Sequence, residues 1–443
     1  MDALQIQSLR PALEAWVARF QPCFKRAVTF NYFQFYLLGL MTDLRRKSVE
    51  PIALACGTPV RTMQEFLSMF AWHHVRLQEM LLHRVADRCP HGGIGVIDAT
   101  AHPKRTAHPK RGDKTPGVAR QYCGESGKID NCVVAQHLLF TDDNPSNPFS
   151  CMLGCDLYLP QCWTQDRDRC QEARIPEALA AYRPKWQIAV DQVRAALAGG
   201  VKLNWVVFDE EYGRIPAFLL ELDRVGIGAV GEVPANFRAY VKRPACVSGW
   251  TCHAARPVKN LLSHSPAFTG QPWQRCTVKD TTRGKLVWQY KATRVHLSDS
   301  SHPNHNVYIP TDRRYWLIVL RQPHTGEIKY VISNAGEGAN VQELIRVLLS
   351  RWHVEKWFER AKQEAGLGAF EVRTYPSLIR HWLCVQAAMG FLAEQTTRLR
   401  GEKCANHFRA GERGRLHAGG EDLETGLALL VGVDAAMCLS PTS

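Results

Sequence analysis

The sequence predicts an α/β protein in which a helical region precedes a layer of buried strands and helices. Three observations favour this class. Residues 1–90 carry apolar side chains at helical spacing, and short apolar runs alternate with amphipathic helices through residues 91–234. Residues 235–314 are rich in Thr, Val, Tyr and Trp with turn residues between them, which predicts short antiparallel strands. The alternation in the middle of the chain is typical of a sheet covered by helices.

Composition limits the class of function. The chain has 443 residues, 45% hydrophobic and 22% charged, which is ordinary for a globular protein and excludes a collagen-like, coiled-coil or wholly disordered chain. The formal net charge is +13 and the pI is about 9.1. This excess of positive charge indicates a polyanionic partner, with nucleic acid first and an anionic membrane second.

Membrane insertion and export are not expected. The apolar stretch Phe30–Met41 is interrupted by Asn31 and Gln34 and is too short to cross a bilayer. The N-terminal segment has no secretory pattern, so a cytoplasmic protein is expected. The fifteen scattered cysteines are then reduced thiols. Their dense group lacks a C-x-x-C pair, which disfavours zinc; it comprises Cys151, Cys155, Cys162 and Cys170.

Two helices joined by a tight turn are expected over Val49–Met69. Gly57 and Pro59 break the helical pattern, and Thr58 can cap the second helix. The pair is compatible with a helix-turn-helix that contacts DNA. It is equally compatible with a helical hairpin inside a bundle, so both interpretations stay open.

The α/β layer follows in order along the chain. Strands are predicted at 94–97, 131–140, 149–159, 204–208 and 227–233, and helices at 176–198 and 215–225. A tandem copy, Thr-Ala-His-Pro-Lys-Arg, occupies 100–105 and 106–111. Because surface loops tolerate changes of length, it is interpreted as a loop insertion close to Asp98.

Residues 235–314 carry most of the positive charge. They contain 13 Lys and Arg residues against three Asp. Contacts to phosphates dominate nucleic-acid affinity, so this segment is predicted to bind DNA. A solvated basic face is the alternative.

Two predicted strands end in a carboxylate, the first in Asp98 and the second in Asp209. Carboxylates are costly to bury unless they are paired or bind a metal. At the ends of adjacent strands they would share a divalent cation, since Mg²⁺ prefers oxygen ligands. The alternative is an ordinary turn or helix cap after each strand.

A third group of ionisable residues lies in a helical pattern over Glu343–Glu364. On a helical wheel, four polar residues fall inside the apolar, core-facing arc: Arg351, Glu355, Glu359 and Lys362. A structural network of ion pairs is one interpretation. A site that binds a metal and grips phosphate is the other, because clustered ionisable groups in a core mark functional sites.

These residues carry a resemblance to a known family. The segment R-W-H-V-E-K-W-F-E-R-A-K resembles the glutamate signature Y-x2-R-x3-E-x6-K of DDE insertion-sequence transposases, with Arg351, Glu355 and Lys362 in place and Leu348 where tyrosine is expected. V-I-D-A-T and the following G-V-A-R-Q-Y-C-G-E-S-G-K resemble the first-aspartate region of the insertion-sequence-701 branch of the insertion-sequence-4 superfamily. F-D-E-E-Y-G resembles its second-aspartate region. An acidic residue often follows the first aspartate in that branch, whereas this chain has Ala99.

The resemblance implies a ribonuclease-H-like catalytic domain with a β-strand insertion between the second aspartate and the glutamate. In this chain 145 residues separate those two positions. The expected organisation is a helical region over 1–90, the first part of the catalytic core over 91–234, a basic β insertion over 235–335, the last part of the core over 336–397 and a divergent tail over 398–443.

The same resemblance implies a DNA transposase that cuts and joins transposon ends. Asp98, Asp209 and Glu355 would be the catalytic residues and would hold two Mg²⁺ or Mn²⁺ ions. The implied partner is double-stranded DNA, bound by a homodimer in the bacterial nucleoid. The expected DNA contacts are Arg351, Lys362, Arg120, Lys128, Lys242, Arg243, Lys285 and Lys291. A stacking aromatic for a flipped base would come from Trp250, Trp273 or Trp288.

Two rival functions belong to other classes. One is a DNA-binding protein that descends from such an enzyme and has lost activity. The other is a hydrolase that uses two carboxylates on a sugar, which the charge of +13 disfavours.

Overall fold

The computed structural model describes residues 3–103, 112–124, 126–247, 250–251, 254–281, 284–299 and 309–409. The helices and strands of the described part are, in chain order, α1 (Ala3–Ala18), α2 (Ala27–Met41), α3 (Val49–Ala55), α4 (Val60–Ser68), α5 (His74–Arg88), β1 (Gly93–Pro103), β2 (Ala119–Cys123), β3 (Lys128–Thr141), β4 (Ser150–Leu157), α6 (Gln161–Thr164), α7 (Arg167–Glu172), α8 (Lys185–Ala198), β5 (Leu203–Phe208), α9 (Glu210–Gly213), α10 (Pro216–Val225), β6 (Gly228–Val233), β7 (Arg238–Tyr240), β8 (Cys246–Val247), β9 (Trp250–Thr251), β10 (Arg256–Pro257), α11 (Val258–His264), α12 (Pro266–Thr269), β11 (Gln274–Thr281), β12 (Gly284–Asp299), β13 (Ile309–Arg321), β14 (Ile328–Ser333), α13 (Val341–Leu349), α14 (Trp352–Glu364) and α15 (Tyr375–Arg409). The predicted mixed α/β class is confirmed.

One large mixed sheet organises the described residues. Its strand order is β10-β7-β12-β13-β14-β6-β5-β1-β3-β2, with β4 also paired to β3 and β11 to β12. Strand β5 lies between β1 and β6 and runs parallel to both, whereas β3 runs antiparallel to β1 and to β4. The carboxyl ends of β1, β5 and β6 therefore meet at one edge of the sheet.

Helices bury both faces of this sheet. Along β5, Val206 and Phe208 belong to the core shared with α8 and α10, whereas Val207 belongs to the core shared with α13, α14 and α15. Burial on both faces explains why the parallel strands are continuous apolar runs rather than alternating ones. The helix predicted from residue 176 begins only at Lys185, because Pro184 precedes it with an extended backbone.

The basic segment differs from the short strands expected of it. It contains two long strands, β12 and β13, of 16 and 13 residues, and two helices, α11 and α12. Strand β13 pairs with β14, and β14 pairs with β6, so these strands extend the central sheet. The prediction of antiparallel strands is confirmed, and β7 to β10 are short, but the prediction of short strands is wrong for β12 and β13, because sheet neighbours on both sides support longer ones.

The helical N-terminal region shares its core with the last described helix. The Tyr36 hydroxyl lies 2.8 Å from Nδ1 of His381, and the Trp16 indole donates to the Ala387 carbonyl at 3.1 Å. The five helices α1 to α5 lie between Ala3 and Arg88. These contacts attach the N-terminal helices to α15.

The predicted helix-turn-helix segment does form two helices, α3 and α4. Gly57 has a φ of +62°, a left-handed conformation that favours glycine at the turn. The predicted cap is wrong: Thr58 donates its hydroxyl to the Ala53 carbonyl at 3.3 Å, and Pro59 occupies the cap position of α4. The inner face of α4 buries Met63, Phe66 and Leu67. DNA contact by this pair stays a prediction.

Two predicted features lie mostly outside the described residues. They are the tandem repeat, of which only 100–103 are described as part of β1, and the predicted tail, of which 410–443 lie outside. In the described part, no helix is both long and apolar enough for a membrane span. Of the dense cysteine group, Cys162 is exposed and the others are buried.

Candidate active site

The two predicted aspartates lie side by side at one edge of the sheet. Val96 of β1 pairs with Val207 of β5 in parallel register, and each aspartate follows its valine by two residues. Asp209 directly follows β5, as predicted, but Asp98 lies within β1, so the prediction that this strand ends at Asp98 is wrong: pairing with β3 extends β1 to Pro103. The structure therefore brings Asp98 and Asp209 together, although 110 residues separate them in the chain.

Local hydrogen bonds fix the backbone at both aspartates. Asp98 Oδ1 accepts from the backbone N–H of Ala99 at 2.7 Å. Asp209 caps the one-turn helix α9, and its Oδ1 accepts from the backbone N–H of Glu211 at 2.9 Å. Capping by a carboxylate satisfies a donor that the first helical turn leaves open. Asp209 is thus a helix cap, as the alternative interpretation allowed, and also a neighbour of Asp98.

Close packing holds α9 against the sheet. A Cβ atom at position 213 would lie 1.9 Å from the carbonyl oxygen of Glu232 in β6, so only glycine fits there. This approach places the end of α9 directly on β6. The position of Asp209 is therefore determined by the sheet as well as by its own cap.

The electrostatic environment of the pair favours a bound cation. Burial raises the pKa of Asp98 to about 7, with a further increase from the charge of Asp209, whereas the Arg351 guanidinium lowers it. Burial also raises the pKa of Asp209, and the Glu211 charge adds to this effect. Two partly buried carboxylates that repel each other are stabilised by positive charge between them.

Arg351 links the aspartates to the glutamate of the third motif. Its guanidinium lies 3.6 Å from Asp98 Oδ2 and donates to Glu355 Oε1 at 2.8 Å. Burial alone would lower the pKa of Arg351, but the charges of Asp98 and Glu355, with smaller contributions from Glu232 and Asp209, raise it overall. Arg351 therefore stays charged and neutralises part of the acidic site.

The predicted orientation of Glu355 is wrong. The helical pattern over 343–364 is broken into α13 and α14, and Arg351 stands at the junction as the residue that precedes α14. A wheel that treats the segment as one helix therefore misplaces residues across the break. The Glu355 side chain is 60% exposed and Glu359 is exposed too, so neither faces the core. Glu355 shares the Arg351 guanidinium with Asp98, and its charge also raises the pKa of Asp98.

The side chains at the site determine whether a metal ion can bind there. Within the described ranges, no three His, Cys, Asp or Glu side chains are grouped so that they could hold a metal ion. Asp98 and Asp209 nevertheless fit a hard divalent cation, because they are adjacent, partly buried oxygen donors with raised pKa values. Glu355 is the third carboxylate near them, and its Oε1 is bonded to Arg351.

The remaining predicted DNA contacts occupy two regions. Arg120 and Lys128 are exposed on the hairpin formed by β2 and β3. Lys362 is half-buried on α14, near the buried His137; burial is the main cause that lowers the pKa of His137 to about 3, and the Lys362 charge contributes. The structure does not bring the hairpin residues to the carboxylates.

The insertion residues differ in how accessible they are. Lys242 is exposed, and Arg243 forms an ion pair with Asp312. Lys291 donates to the Phe268 carbonyl at 2.7 Å, which uses its charge within the fold. Lys285 is the second residue of β12, and its side chain lies outside the described part.

The candidate stacking tryptophans are placed unfavourably. Trp288 is buried, with 6% of its surface exposed, so it is not available to a base. Trp273 packs under the Arg321 guanidinium, 4.2 Å from the ring centroid, and lies 5.2 Å from the Lys291 ammonium. The side chain of Trp250 lies outside the described residues.

Two buried residues at the site were missed by the sequence analysis. The Tyr212 hydroxyl donates to Gln136 Oε1, and the Gln136 amide donates to the Asp98 carbonyl at 3.1 Å. Gln136 and His137 interrupt the otherwise apolar run of β3, and this interruption was the available signal.

The mixed α/β fold and the acidic site are consistent with a nuclease, and comparison with known families identifies the family. Residues 19–294 match the DDE superfamily endonuclease family, and the chain belongs to that family. The matched range contains Asp98 and Asp209 and ends before Arg351 and Glu355. The resemblance drawn from the three motifs is confirmed.

A probable transposase is also similar to this chain. The probable transposase for insertion sequence element IS701 from Microchaete diplosiphon is 26% identical over 210 residues. This match covers 47% of this chain and 50% of the relative, so it spans about half of each.

Proposed function

We propose that the protein is a DNA transposase that cuts and joins the ends of its element, with Asp98, Asp209 and Glu355 as its catalytic carboxylates. The observation that carries the proposal is the side-by-side placement of Asp98 and Asp209 with Arg351 between the aspartates and Glu355. Membership of the endonuclease family and similarity to a probable transposase support it.

The order of five strands supports a ribonuclease-H-like core. Strands β4, β3 and β1 form an antiparallel meander, α8 leads to β5 beside β1, and α10 leads to β6 beside β5. Strands β7 and β10 to β14, which extend the large sheet, and the separate pair β8 and β9 lie between Asp209 and Glu355 in the chain. We propose that they form the insertion implied by the resemblance, with the domain bounds given above.

The proposed cofactor is a pair of Mg²⁺ or Mn²⁺ ions held by Asp98, Asp209 and Glu355. When bound, such ions activate a water or 3′-hydroxyl nucleophile and stabilise the leaving oxygen of an in-line displacement. The two aspartates provide oxygen ligands from rigid positions at the sheet edge. Glu355 lies on α14, which packs against β1, and becomes available when Arg351 turns to another anion.

Arg351 is suited to exchange its partners. In the protein alone it binds Asp98 and Glu355, and a guanidinium binds phosphate bidentately as well as carboxylate. We propose that a DNA phosphate takes Arg351 from the carboxylates. Binding of DNA would then remove a competing cation from the residues that hold metal, and Lys362 would add a second phosphate contact.

The proposed substrate is double-stranded DNA at the transposon ends and at the target, bound by a homodimer associated with the nucleoid. The net charge of +13 and the basic segment 235–314 support a polyanionic partner. The exposed cations Arg120 and Lys128 on the β2–β3 hairpin offer a second contact region. Both regions are proposed to contact phosphates rather than bases.

Single-turnover cleavage of a labelled element end tests this function. With Mg²⁺, wild type should break the strand at the end, whereas Asp209→Asn should bind the same DNA and cleave several hundredfold more slowly or not at all, since metal positioning is worth several kcal/mol. The matched control is Asp191→Asn on the exposed face of α8.

The outcomes separate the two candidate functions. Equal cleavage by wild type and Asp209→Asn would contradict the carboxylate mechanism. Intact end binding without cleavage by wild type would favour the inactive descendant, a function that Ala99 and Leu348 leave open.

A further inference from the structure

A buried hydrogen-bond chain joins the two elements that carry the aspartates. The Tyr212 hydroxyl, on the helix that Asp209 caps, donates to Gln136 Oε1. The Gln136 amide donates to the backbone carbonyl of Asp98 at 3.1 Å and to that of His137 at 3.2 Å. Gln136 is fully buried and Tyr212 is 1% exposed, so this chain of bonds is closed to solvent.

The polar chain continues into the sheet. The Gln192 side chain donates to the backbone carbonyl of Gln136 at 2.8 Å and to Asp156 Oδ2 at 2.7 Å. Strand β3 is thus bonded on one side to β1 at Asp98 and on the other to α8 and β4. Gln136 is therefore bonded to β1, α8 and α9 at the same time.

Apolar packing alone does not explain these polar residues. A buried polar side chain costs free energy unless its hydrogen bonds are made, and β3 is otherwise an apolar run in which a leucine or valine would pack without that requirement. Gln136 and Tyr212 together provide a directional connection between the backbone of Asp98 and α9, the helix that Asp209 caps.

Helix α9 needs such an anchor. It has only four residues, too few for a stable helix by itself, so its position depends on contacts. These contacts include the cap by Asp209, the packing of Gly213 on β6 and the bond from Tyr212. Of these contacts, the bond from Tyr212 to Gln136 connects α9 to the backbone of Asp98 in β1.

We propose that Gln136 and Tyr212 are positioning residues that set the spacing between Asp98 and Asp209 for metal binding. The proposal rests on the proposed function, because it assigns the pair a role in that site. Partners that orient metal ligands from behind typically change metal affinity by about 10–100-fold when they are mutated.

The test compares two buried tyrosines that lose the same group. Tyr212→Phe removes the hydroxyl at the site, and Tyr36→Phe removes the hydroxyl that bonds His381 in the helical core, where no candidate catalytic residue lies. Both tyrosines are 1% exposed, so both variants should lower the Tm by a similar amount. The readout is the Mn²⁺ concentration that half-saturates the protein–DNA complex, followed by the signal of free Mn²⁺.

Only Tyr212→Phe should raise the half-saturating Mn²⁺ concentration, by about tenfold. The double variant Gln136→Met/Tyr212→Phe also removes the Gln136 bonds to the Asp98 and His137 carbonyls, so it should lower the Tm further and raise the half-saturating Mn²⁺ concentration at least as much as Tyr212→Phe does. Unchanged Mn²⁺ affinity in Tyr212→Phe at a lowered Tm would reduce the pair to a structural role and overturn the proposal.

Amide hydrogen exchange separates this proposal from the proposed function. In Tyr212→Phe, exchange should rise both in α9 and around Asp98 in β1, and it should rise at neither place in Tyr36→Phe. This result needs neither metal nor cleavage. If wild type does not bind Mn²⁺ but the exchange pattern is observed, the proposed function is wrong, although the bond still connects α9 to Asp98. If exchange rises in α9 alone, the positioning proposal is wrong.

Discussion

Asp98 and Asp209 stand level with each other on neighbouring parallel strands, each two residues beyond the register pair Val96 and Val207. Among the described residues, the guanidinium of Arg351 is the basic group beside them; it lies 3.6 Å from Asp98 and is shared with Glu355. The sheet edge therefore holds more negative charge than this basic neighbour offsets. The first two predictions follow from this imbalance.

Replacing Asp98 by asparagine should stabilise the metal-free protein at high pH. The folded pKa of Asp98 is about 7 against an ordinary 3.8, so the folded protein keeps a proton that the unfolded chain loses between about pH 4 and pH 7. The free energy of unfolding then falls as pH rises through that window. Asp98→Asn has no such loss, and its advantage at pH 8 is bounded by about 4 kcal/mol, since each pKa unit is worth about 1.4 kcal/mol.

Denaturant unfolding of both proteins in EDTA at pH 4 and pH 8 measures this effect. The stability difference between variant and wild type should grow with pH, because only wild type must give up the folded-state proton of Asp98, and the variant also lacks the repulsion between that charge and Asp209. A difference that is the same at the two pH values would contradict a raised Asp98 pKa.

Replacing Arg351 by alanine should have the opposite dependence on pH. Without the guanidinium, the charged form of Asp98 loses the neighbour that lowers its pKa, so Arg351→Ala should destabilise the protein more at pH 8 than at pH 5. Cleavage of an element end should also fall, and Arg351→Lys should recover only part of it because an ammonium does not bind bidentately.

Arg10→Ala is the control for Arg351→Ala. Arg10 forms an exposed i,i+4 pair with Glu14, the same kind of helical contact as Arg351 with Glu355, but it lies on α1 rather than beside the strand-end aspartates. Exposed pairs of this kind contribute little to stability. Equal losses in the two variants, at both pH values, would mean that Arg351 serves only its own helix.

The basic segment is tested by the salt dependence of DNA binding. Lys242, Lys259 and Arg275 are exposed, whereas Lys291 and Arg243 already have partners inside the fold. Reversing these three exposed charges to Glu should weaken binding and reduce the slope of log K against log salt by about one for each phosphate that the variant no longer binds. Lys202→Glu, at the opposite end of β5 from Asp209, should leave the slope unchanged.

Fluorescence anisotropy across a series of salt concentrations measures that slope. If the triple variant keeps the wild-type slope, the insertion does not contact phosphates, and the alternative of a solvated basic face is correct.

The sequence was sufficient to place the two aspartates because each ends a run that is buried on both faces. Such runs are apolar throughout, as in Trp205–Phe208. Strand β5 ends at Phe208, directly before Asp209, whereas β1 continues past Asp98 to Pro103 beside β3. Adjacent parallel strands then bring their carboxyl ends to the same edge, so two separate local patterns were enough to bring Asp98 and Asp209 together.

Local sequence patterns could not predict the orientation of Glu355 or the bond between Gln136 and Tyr212. No Gly or Pro marks the break between α13 and α14, so helical periodicity continued across Ser350 and Arg351. Gln136 and Tyr212 are 76 residues apart, and their contact depends on how α9 settles on the sheet. Tertiary packing decides both features, and local propensity carries no information about it.

The last prediction concerns the space behind Asp209. A methyl group at position 213 would meet the backbone carbonyl of Glu232 at 1.9 Å, and a backbone atom cannot move aside as a flexible side chain can. Gly213→Ala should therefore displace α9 from β6, lower the free energy of unfolding by about 1–3 kcal/mol as overpacking does, and slow end cleavage. Gly401→Ala is the matched control, because Gly401 lies in α15 with open space around it and alanine is the better helix former there by up to about 1 kcal/mol. Thermal unfolding and single-turnover cleavage of both variants decide the matter: a Gly213→Ala protein as stable and as active as wild type would mean that α9 does not depend on its contact with β6.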